Sequence, residues 1–205
     1  MEPNKQKNAI AEAAIRCFRE HGYDEVSVQM ICDAAGVVRS TFYRMFSGKK
    51  EIITYLMENT DTNKIVKLED LLMAANDFER MWLIGERYIT LAEEMGPGVM
   101  AALFAMELNG EIDILSLTDS IRDWFIRLTG NCQKTGIIRS PEPAELLGPA
   151  MTDMVYHQIY IWTARGGEFP LRARSRRLTE LMVDLSPEYR WTEQQLKAAD
   201  RQSVK

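Results

Sequence analysis

The sequence predicts an all-α fold, because apolar residues recur at helical spacing along almost the whole chain. Stretches with the period of two that marks a β-strand are nearly absent, and β-branched residues are scattered along the chain. The 205 residues are 46% hydrophobic and 27% charged, which is ordinary for a globular protein with a sizeable core.

Nine or ten helices are expected, separated by Gly, Pro and short polar breaks. In the first, an apolar face is formed by Ile10, Ala13, Ala14, Cys17 and Phe18, and Gly22 follows its end. The predicted helices cover residues 4–21, 28–35, 39–46, 49–74, 77–95, 99–106, 113–134, 144–165, 171–184 and 192–201.

Charge is divided unevenly along the chain. Residues 1–50 contain eight Lys or Arg against six Asp or Glu, whereas residues 51–205 contain seventeen against twenty-four. A mildly basic head on an acidic body is the pattern expected of a protein whose head alone contacts nucleic-acid phosphates.

The sequence also predicts a cytoplasmic protein without a membrane segment, a metal site or a disulfide. No apolar run approaches the roughly 18 residues that a membrane helix needs, and the charged N-terminus lacks a signal peptide's apolar centre. The three cysteines, Cys17, Cys32 and Cys132, are widely spaced in apolar segments, and small buried hydrophobic side chains are their expected role.

Two short helices at 28–35 and 39–46, joined by a tight turn at Gly36, follow the longer first helix as in a helix-turn-helix unit. Phe42 and Phe46 are four residues apart and can share one buried face, with Met45 beside them. The outward side chains are then those of Arg39, Ser40, Tyr43 and Arg44, with Thr41 at the edge. These cations and hydroxyls can reach phosphate oxygens and base edges in a major groove.

Residues 7–56 resemble the tetracycline-repressor (TetR) family of bacterial regulators. The resemblance is carried by the segments FREHGYDEVSV, MICDAAGV and VRSTFYRMFSGKKEII. The positions at the family's spacing are Gly22, Tyr23, Ser27, Ala35, Gly36, Val37, Thr41, Tyr43, Phe46 and Lys49. The resemblance implies a helix-turn-helix DNA-binding domain over residues 1–50 and a helical ligand-binding and dimerisation domain over residues 51–205.

By this resemblance, several side chains contact the DNA backbone. Thr41 and Tyr43 are implied to bind phosphates of one strand, and Ser27 and Val28 to approach the other strand. Lys49 is implied to pair with a phosphate at the start of the helix that begins there. Ser27 is in addition a candidate N-cap for the helix over residues 28–35.

The base-reading positions implied by the resemblance are Val38, Arg39, Ser40 and Arg44. Arg39 or Arg44 could bind guanine through two hydrogen bonds. Val38 stands where the family has a small polar residue, Ser40 where Gly or Ala is common, and Met45 where an aromatic residue is common. Val38 therefore removes an expected N-cap, although its methyl groups could pack on a thymine methyl.

For the C-terminal domain, the resemblance implies a repressor that a small apolar or aromatic effector releases from a palindromic operator. The candidate ligand-binding residues are Trp82, Tyr88, Met100, Phe104, Trp124, Phe125, Met154 and His157. Twelve methionines suit an irregular apolar cavity, although such a stripe is more often plain core. In the implied switch, the effector changes the separation of two DNA-binding heads and so lowers operator affinity.

The helices over 144–165 and 171–184 are implied to form a homodimer interface. Its candidate residues are Met151, Val155, Ile159, Trp162, Leu178 and Leu181. A dimer has a geometric reason, since two recognition helices must meet successive major grooves about 34–36 Å apart. The alternative is a helix over 144–165 that is buried wholly within one chain.

Other functions are less well supported by the residues. The chain has two histidines and no phosphate-binding loop, nucleophile elbow or metalloprotease motif, so no enzyme, cofactor or catalytic residue is predicted. A second possibility is a DNA-binding regulator whose body serves only dimerisation or protein interaction, without a small ligand. Arg172, Arg174, Arg176 and Arg177 are expected in a solvated or dimer-rim position.

Overall fold

The computed structural model of the protein describes residues 3–59, 67–113 and 115–202. All regular elements within these residues are helical apart from one isolated β-bridge between Ile138 and Leu185, which confirms the predicted all-α fold. The helices are α1 Pro3–His21, α2 Val28–Ala35, α3 Arg39–Met45, α4 Lys49–Asn59, α5 Leu68–Met73, α6 Asp77–Met95, α7 Pro97–Leu108, α8 Leu115–Lys134, α9 Ala144–Ala164, α10 Leu171–Met182 and α11 Glu193–Gln202, with a 3-10 helix at Pro187–Tyr189.

Among the described residues, no single helix is long and apolar enough to span a membrane. Helices α6 and α7 reach the required length and composition only when they are taken together across the break at Gly96.

The segment predicted as one helix over residues 49–74 contains two described helices. α4 is described as far as Asn59, and α5 begins at Leu68. Lys67 has extended backbone angles, φ −65° and ψ 138°, so the prediction of a single helix is wrong at that residue. Residues 60–66 of the predicted helix lie outside the described part of the chain. The other predicted helices are present, with their ends displaced by a few residues.

The described residues belong to two compact units. The first unit comprises the described parts of Met1–Thr62 and Met95–Ile112, and the second those of Asn63–Glu94 and Asp113–Lys205. The first unit therefore adds α4 and α7 to the three predicted head helices, because α1 packs against both of them. The compact unit around the helix-turn-helix is thus larger than the domain predicted over residues 1–50.

In the first unit, α1 buries the face that its periodicity predicts, formed by Ile10, Ala13, Ala14, Cys17 and Phe18. The start of α7 lies close to the chain that follows α1, since a Cβ on Gly98 would be 3.6 Å from the Tyr23 backbone nitrogen. A methyl group added at Gly98 would be in ordinary van der Waals contact with that backbone.

All three cysteines are unpaired and buried, as predicted. Burial raises the pKa of the Cys17 and Cys32 thiols and raises that of Cys132 to about 12. These thiols are therefore protonated at neutral pH and serve as small apolar side chains.

The core of the second unit is built where α6, α8 and α9 meet. Its buried residues include Phe78 and Met81 from α6, Phe125 and Leu128 from α8, and Leu147 and Met151 from α9. Gly148 allows α9 to approach the α8 backbone, because a Cβ there would lie 2.8 Å from the Ile126 nitrogen. Gly85 on α6 similarly lies close to Val155 on α9, because a Cβ added to Gly85 would be 3.2 Å from the Val155 Cγ2.

Arg176 on α10 is fully buried, and it contacts residues of α6, of α10 itself and of the chain after α10. Its guanidinium makes two hydrogen bonds with Glu79, of 2.6 and 3.0 Å, and a third of 2.7 Å with Glu180. The guanidinium also lies about 5 Å from three aromatic ring centroids, those of Phe78, Trp82 and Trp191. The expected solvated or rim position is therefore wrong for Arg176.

Arg172 lies one turn earlier on α10 and is only 12% exposed, so the expected position is wrong for this residue too. Its Nη2 donates to Thr90 at 2.9 Å and pairs with Glu93 at 3.3 Å, and its Nε lies 3.6 Å from Glu86. Desolvation by burial raises the pKa of Glu86 above its ordinary value, and the neighbouring Arg172 opposes that shift. A row of carboxylates on α6 thus faces two arginines on α10. Arg174 and Arg177 are exposed, as predicted.

Substituting Gly148 by Ala tests the close packing of α8 and α9. We expect G148A to lower the free energy of unfolding by about 1–3 kcal/mol, because the added methyl group meets backbone atoms that cannot move aside. The matched control is G130A on α8, where the new Cβ would lie 3.8 Å from the Ala144 Cβ. That change should be neutral or stabilising by up to about 1 kcal/mol, since Ala favours a helix interior over Gly. Urea unfolding measures both, and equal effects of the two changes would contradict the packing described.

Candidate nucleic-acid interface

The two short helices are joined by a turn that backbone geometry and capping define. The Ser27 hydroxyl accepts a hydrogen bond from the Met30 amide at 3.2 Å, which confirms its predicted role as the N-cap of α2. α2 ends at Gly36, whose φ of 64° is in the left-handed region that favours glycine. The Val37 amide then donates to the Cys32 carbonyl, so the chain is closed tightly before α3 begins.

The rotation of α3 about its axis is set by two buried phenylalanines, one within the helix and one directly after its last residue. Phe42 and Phe46 have at most 1% of their surface exposed, and their ring centroids are 6.0 Å apart. Phe46 also packs edge-on against Tyr55 of α4, at 5.4 Å. The predicted inward face of this helix is therefore confirmed, and the remaining faces point away from the core of the first unit.

The outward face of α3 is the one that the sequence predicts. Arg39, Ser40, Tyr43 and Arg44 are exposed, Tyr43 by 54%, and Thr41 is half-buried at the edge. Their guanidinium and hydroxyl groups form one polar surface that can donate to phosphate oxygens and to the acceptor atoms of guanine. Their contacts with DNA stay a prediction.

Val38 occupies the N-cap position of α3 and makes no side-chain capping bond, as its apolar side chain predicts. Its backbone is extended, with φ −85° and ψ 155°, which is the geometry of an ordinary N-cap residue. The side chain is 67% exposed. A solvent-exposed branched side chain thus stands where a hydroxyl would satisfy a free helix amide.

Lys49 at the start of α4 has partners within the chain. Its Nζ donates to the Tyr23 carbonyl at 2.7 Å and to the Asp24 carbonyl at 3.2 Å, and it lies 4.7 Å from the centroid of the Tyr23 ring. An ammonium has three N–H groups, so one remains for the phosphate contact that the resemblance implies. The sequence did not reveal that Lys49 ties α4 to the turn after α1.

The first turns of α1 contact both α3 and α4, and this was also missed by the sequence. The Lys7 ammonium lies 4.9 Å from the Phe46 ring centroid and 4.5 Å from that of Tyr55. The Tyr55 hydroxyl donates to the Asn8 side chain. Arg44 Nη2 donates to Gln6 Oε1 at 3.3 Å. No local periodicity signals such pairs, since Gln6 and Arg44 are 38 residues apart.

The predicted ligand-binding residues are distributed over both units. Met100 and Phe104 belong to the first unit and are buried there. In the second unit, Trp82 packs edge-on against Trp191 at 5.6 Å, and Trp124 against Phe125 at 5.9 Å. The other three are Tyr88 and Met154, both half-buried, and His157, which is exposed and stacked on Tyr160.

The predicted dimer residues also differ in exposure. Four of the six have less than a tenth of their surface exposed within the single chain, namely Met151, Val155, Ile159 and Trp162. They can therefore offer little area to a partner, as in the alternative of a helix buried within one chain. Leu178 is half-buried and Leu181 is 53% exposed. Five of the six exposed residues of α9 recur at helical spacing along one line, namely Leu146, Asp153, His157, Tyr160 and Ala164.

A family model described as bacterial regulatory proteins, tetR family, matches residues 10–56, which span most of α1 and all of α2 and α3. Residues 10–56 therefore form a domain of the tetR family. This confirms the resemblance drawn from the helix-turn-helix residues. The family is one of DNA-binding regulators and not of enzymes.

Two relatives from Bacillus subtilis show how far the similarity of this chain to known regulators extends. The uncharacterized HTH-type transcriptional regulator YvdT is 32% identical over 38% of this chain, and the match spans only 45% of YvdT. The fatty acid metabolism regulator protein is 22% identical over 85% of this chain and 92% of its own length.

Solved structures are similar over nearly the whole chain. The fatty acid degradation regulator FadR from Bacillus halodurans has a TM-score of 0.63 at 17% identity, covering 87% of this chain and 94% of its own. FadR from Bacillus subtilis in complex with stearoyl-CoA has a TM-score of 0.60 at 20% identity, covering 85% of this chain and 96% of its own. At these identities the similarity shows that the TetR-family fold extends through the body.

Substituting Val38 by Ser tests the missing cap of α3. We expect V38S to raise the free energy of unfolding by about 0.5–2 kcal/mol, because the hydroxyl can accept a bond from a free amide in the first turn. V38A is the matched control, since it removes the same methyl groups without supplying an acceptor. Thermal and urea unfolding followed by circular dichroism give the comparison. Equal stability of V38S and V38A would show that the start of α3 gains nothing from a cap.

Proposed function

We propose that this TetR-family regulator is a dimeric transcriptional repressor that binds a palindromic operator through the outward face of α3. The observation that carries the proposal is the burial of Phe42 and Phe46, which leaves two arginines and three hydroxyl-bearing residues on one accessible helix face. A short helix that follows a tight turn and presents such groups fits the width of a major groove.

The proposed contacts are of two kinds: phosphate contacts, which position the protein on DNA, and base contacts, which read the DNA sequence. Thr41, Tyr43, Lys49 and Ser27 would bind phosphates, with Val28 close to the same backbone. The Ser27 hydroxyl already accepts from the Met30 amide, and its own proton remains available for a phosphate oxygen. Val38, Arg39, Ser40 and Arg44 would face the bases, and the arginines would select guanine.

Dimerisation would bring two copies of α3 onto one side of the duplex. The proposed interface is the exposed line of α9 together with the exposed part of α10, and its central residues are His157, Tyr160, Leu178 and Leu181. Asp153 and Arg177 are also exposed on these two helices and offer charges of opposite sign to a partner copy. The net charge of −5 and the acidic body would keep all but the heads away from DNA.

The proposed effector is a molecule with a long apolar part, and acyl-CoA thioesters are the first candidates. FadR of Bacillus subtilis is solved with stearoyl-CoA and FadR of Thermus thermophilus with lauroyl-CoA, and both are similar in fold to this chain. In the second unit, the Trp82 Nε1, Tyr88 hydroxyl and Gln158 Oε1 are buried without a hydrogen-bond partner in the described part of the chain. Buried polar atoms normally have partners, so these atoms are candidates to bind polar groups of an effector.

A second candidate is a regulator of the same kind whose body binds no small ligand. The observation that favours it is the packing of Trp82, Trp124 and Phe125 against other aromatic rings of the second unit. On either proposal the protein would act in the cytoplasm, where bacterial DNA is accessible.

Affinity for a selected operator tests the DNA-binding proposal. An operator is selected from random duplexes, and binding is measured by fluorescence anisotropy at several salt concentrations against an unrelated duplex of equal length. We expect R39A and R44A each to cost about 1–3 kcal/mol on the operator and much less on the unrelated duplex. R127A, which removes an exposed arginine of α8 outside the proposed interfaces, is the control and should change neither affinity. A wild-type protein that binds both duplexes equally would overturn the proposal.

Release by acyl-CoA separates the two candidates for the body. We expect lauroyl-CoA or stearoyl-CoA to weaken operator binding, whereas CoA alone does not. Y88F should reduce this response if the Tyr88 hydroxyl binds the effector, and Y189F, at an exposed tyrosine outside the proposed interfaces, is the control. If acyl-CoA has no effect and Y88F merely stabilises the protein, the unpartnered hydroxyl is a structural cost and the effector proposal fails.

A further inference from the structure

One hydrogen bond joins the start of α1 to the exposed end of α3. Arg44 Nη2 donates to Gln6 Oε1 at 3.3 Å, so two residues that are 38 positions apart meet at the outward face of the recognition helix. Gln6 is half-buried, whereas Arg44 is exposed. The bond therefore connects a side chain with restricted freedom to one that is otherwise free to move in solvent.

The neighbours of Gln6 hold this turn of α1 in place. Lys7 lies with its ammonium near the centroids of the Phe46 and Tyr55 rings, at 4.9 and 4.5 Å. Asn8 accepts a hydrogen bond from the Tyr55 hydroxyl. Phe46 is itself in the core of the first unit. Because the flanking residues are fixed to α3 and α4, the acceptor oxygen of Gln6 stands at a defined place beside Arg44.

An arginine that reads a base binds it with a smaller loss of entropy if its side chain is already oriented before DNA binds. Its long side chain loses rotamer freedom when it binds, and a guanidinium that is already oriented loses less. The guanidinium has five N–H donors, so a single bond to Gln6 leaves enough donors for the two acceptors of a guanine. The glutamine amide is neutral, and so it orients the guanidinium without neutralising the charge that attracts it to DNA.

We propose that Gln6 is a positioning residue that sets the base preference of the operator site by holding Arg44 in its reading orientation. This inference rests on the proposed function, in which Arg44 faces the bases. Gln6 itself contacts no base in this account, and its effect passes entirely through Arg44.

A double-mutant cycle tests the coupling. The base preference at each operator position is measured by competition among the four base pairs, for wild type, Q6A, R44A and Q6A/R44A. We expect Q6A to reduce discrimination about two- to tenfold at the same operator position that R44A affects, as expected for the loss of one hydrogen bond. In the R44A background, Q6A should cause no further loss.

Two further variants separate positioning from other effects. E12A changes an exposed residue on the same helix, and any effect of its charge should be uniform across sequences and leave base preference unchanged. In Q6E, a carboxylate would bind Arg44 more strongly and compete with the base, so operator affinity should fall. Thermal unfolding of Q6A should match that of wild type, which excludes a general loss of structure.

Each outcome decides a different claim. If R44A changes base preference but Q6A does not, or if Q6A causes an equal loss with and without Arg44, the positioning role is overturned and the DNA-binding proposal stands. If R44A leaves base preference unchanged while R39A alters it, Arg44 reads no base and the positioning role of Gln6 fails, whereas the DNA-binding proposal stands. If no variant distinguishes the operator from an unrelated duplex, the proposed function itself fails.

Discussion

The structure of the DNA-binding head depends on the burial of Phe42 in the seven-residue helix α3 and of Phe46 directly after its last residue. A helix this short has little stability of its own, so tertiary packing has to hold it in place. The two rings fix the rotation of α3, and that rotation alone decides which side chains can meet a groove. The capping of α2 by Ser27 and the left-handed turn at Gly36 fix where the helix begins. The outward arginines and hydroxyls are therefore a consequence of which residues the core removes from solvent.

The second unit depends on a different kind of interaction, between charged groups that are removed from water. The positive charge of Arg176 is compensated by the carboxylates of Glu79 and Glu180 and by three aromatic rings that lie around the guanidinium. Such a buried network contributes less to net stability than its many bonds imply, because desolvation opposes them. Its geometry is demanding, however, and this specifies how α6 and α10 pack. Glu86, with its raised pKa, belongs to the same row of carboxylates on α6.

Local patterns in the sequence predicted the fold class, most helices and both faces of α3, because helical periodicity and capping act over a few residues. The break at Lys67 was missed, since neither Gly nor Pro marks residues 51–67. The burial of Arg176 was missed because its main partner, Glu79, is 97 residues away. Lys49 and Gln6 likewise bind distant residues, at separations of 26 and 38. The dimer candidates on α9 share an apolar character, and that character equally describes a helix that packs within its own chain.

The measurement that tests the account most directly is the structure of the protein bound to a selected operator. The account predicts that α3 of each protomer lies in a major groove, with Arg39 or Arg44 within hydrogen-bonding distance of base edges and Phe42 still buried. The two copies of α3 should then be about 34–36 Å apart on one side of the duplex. A complex in which the exposed face of α3 points to solvent, or in which DNA lies against Arg174 and Arg177 of α10, would contradict it.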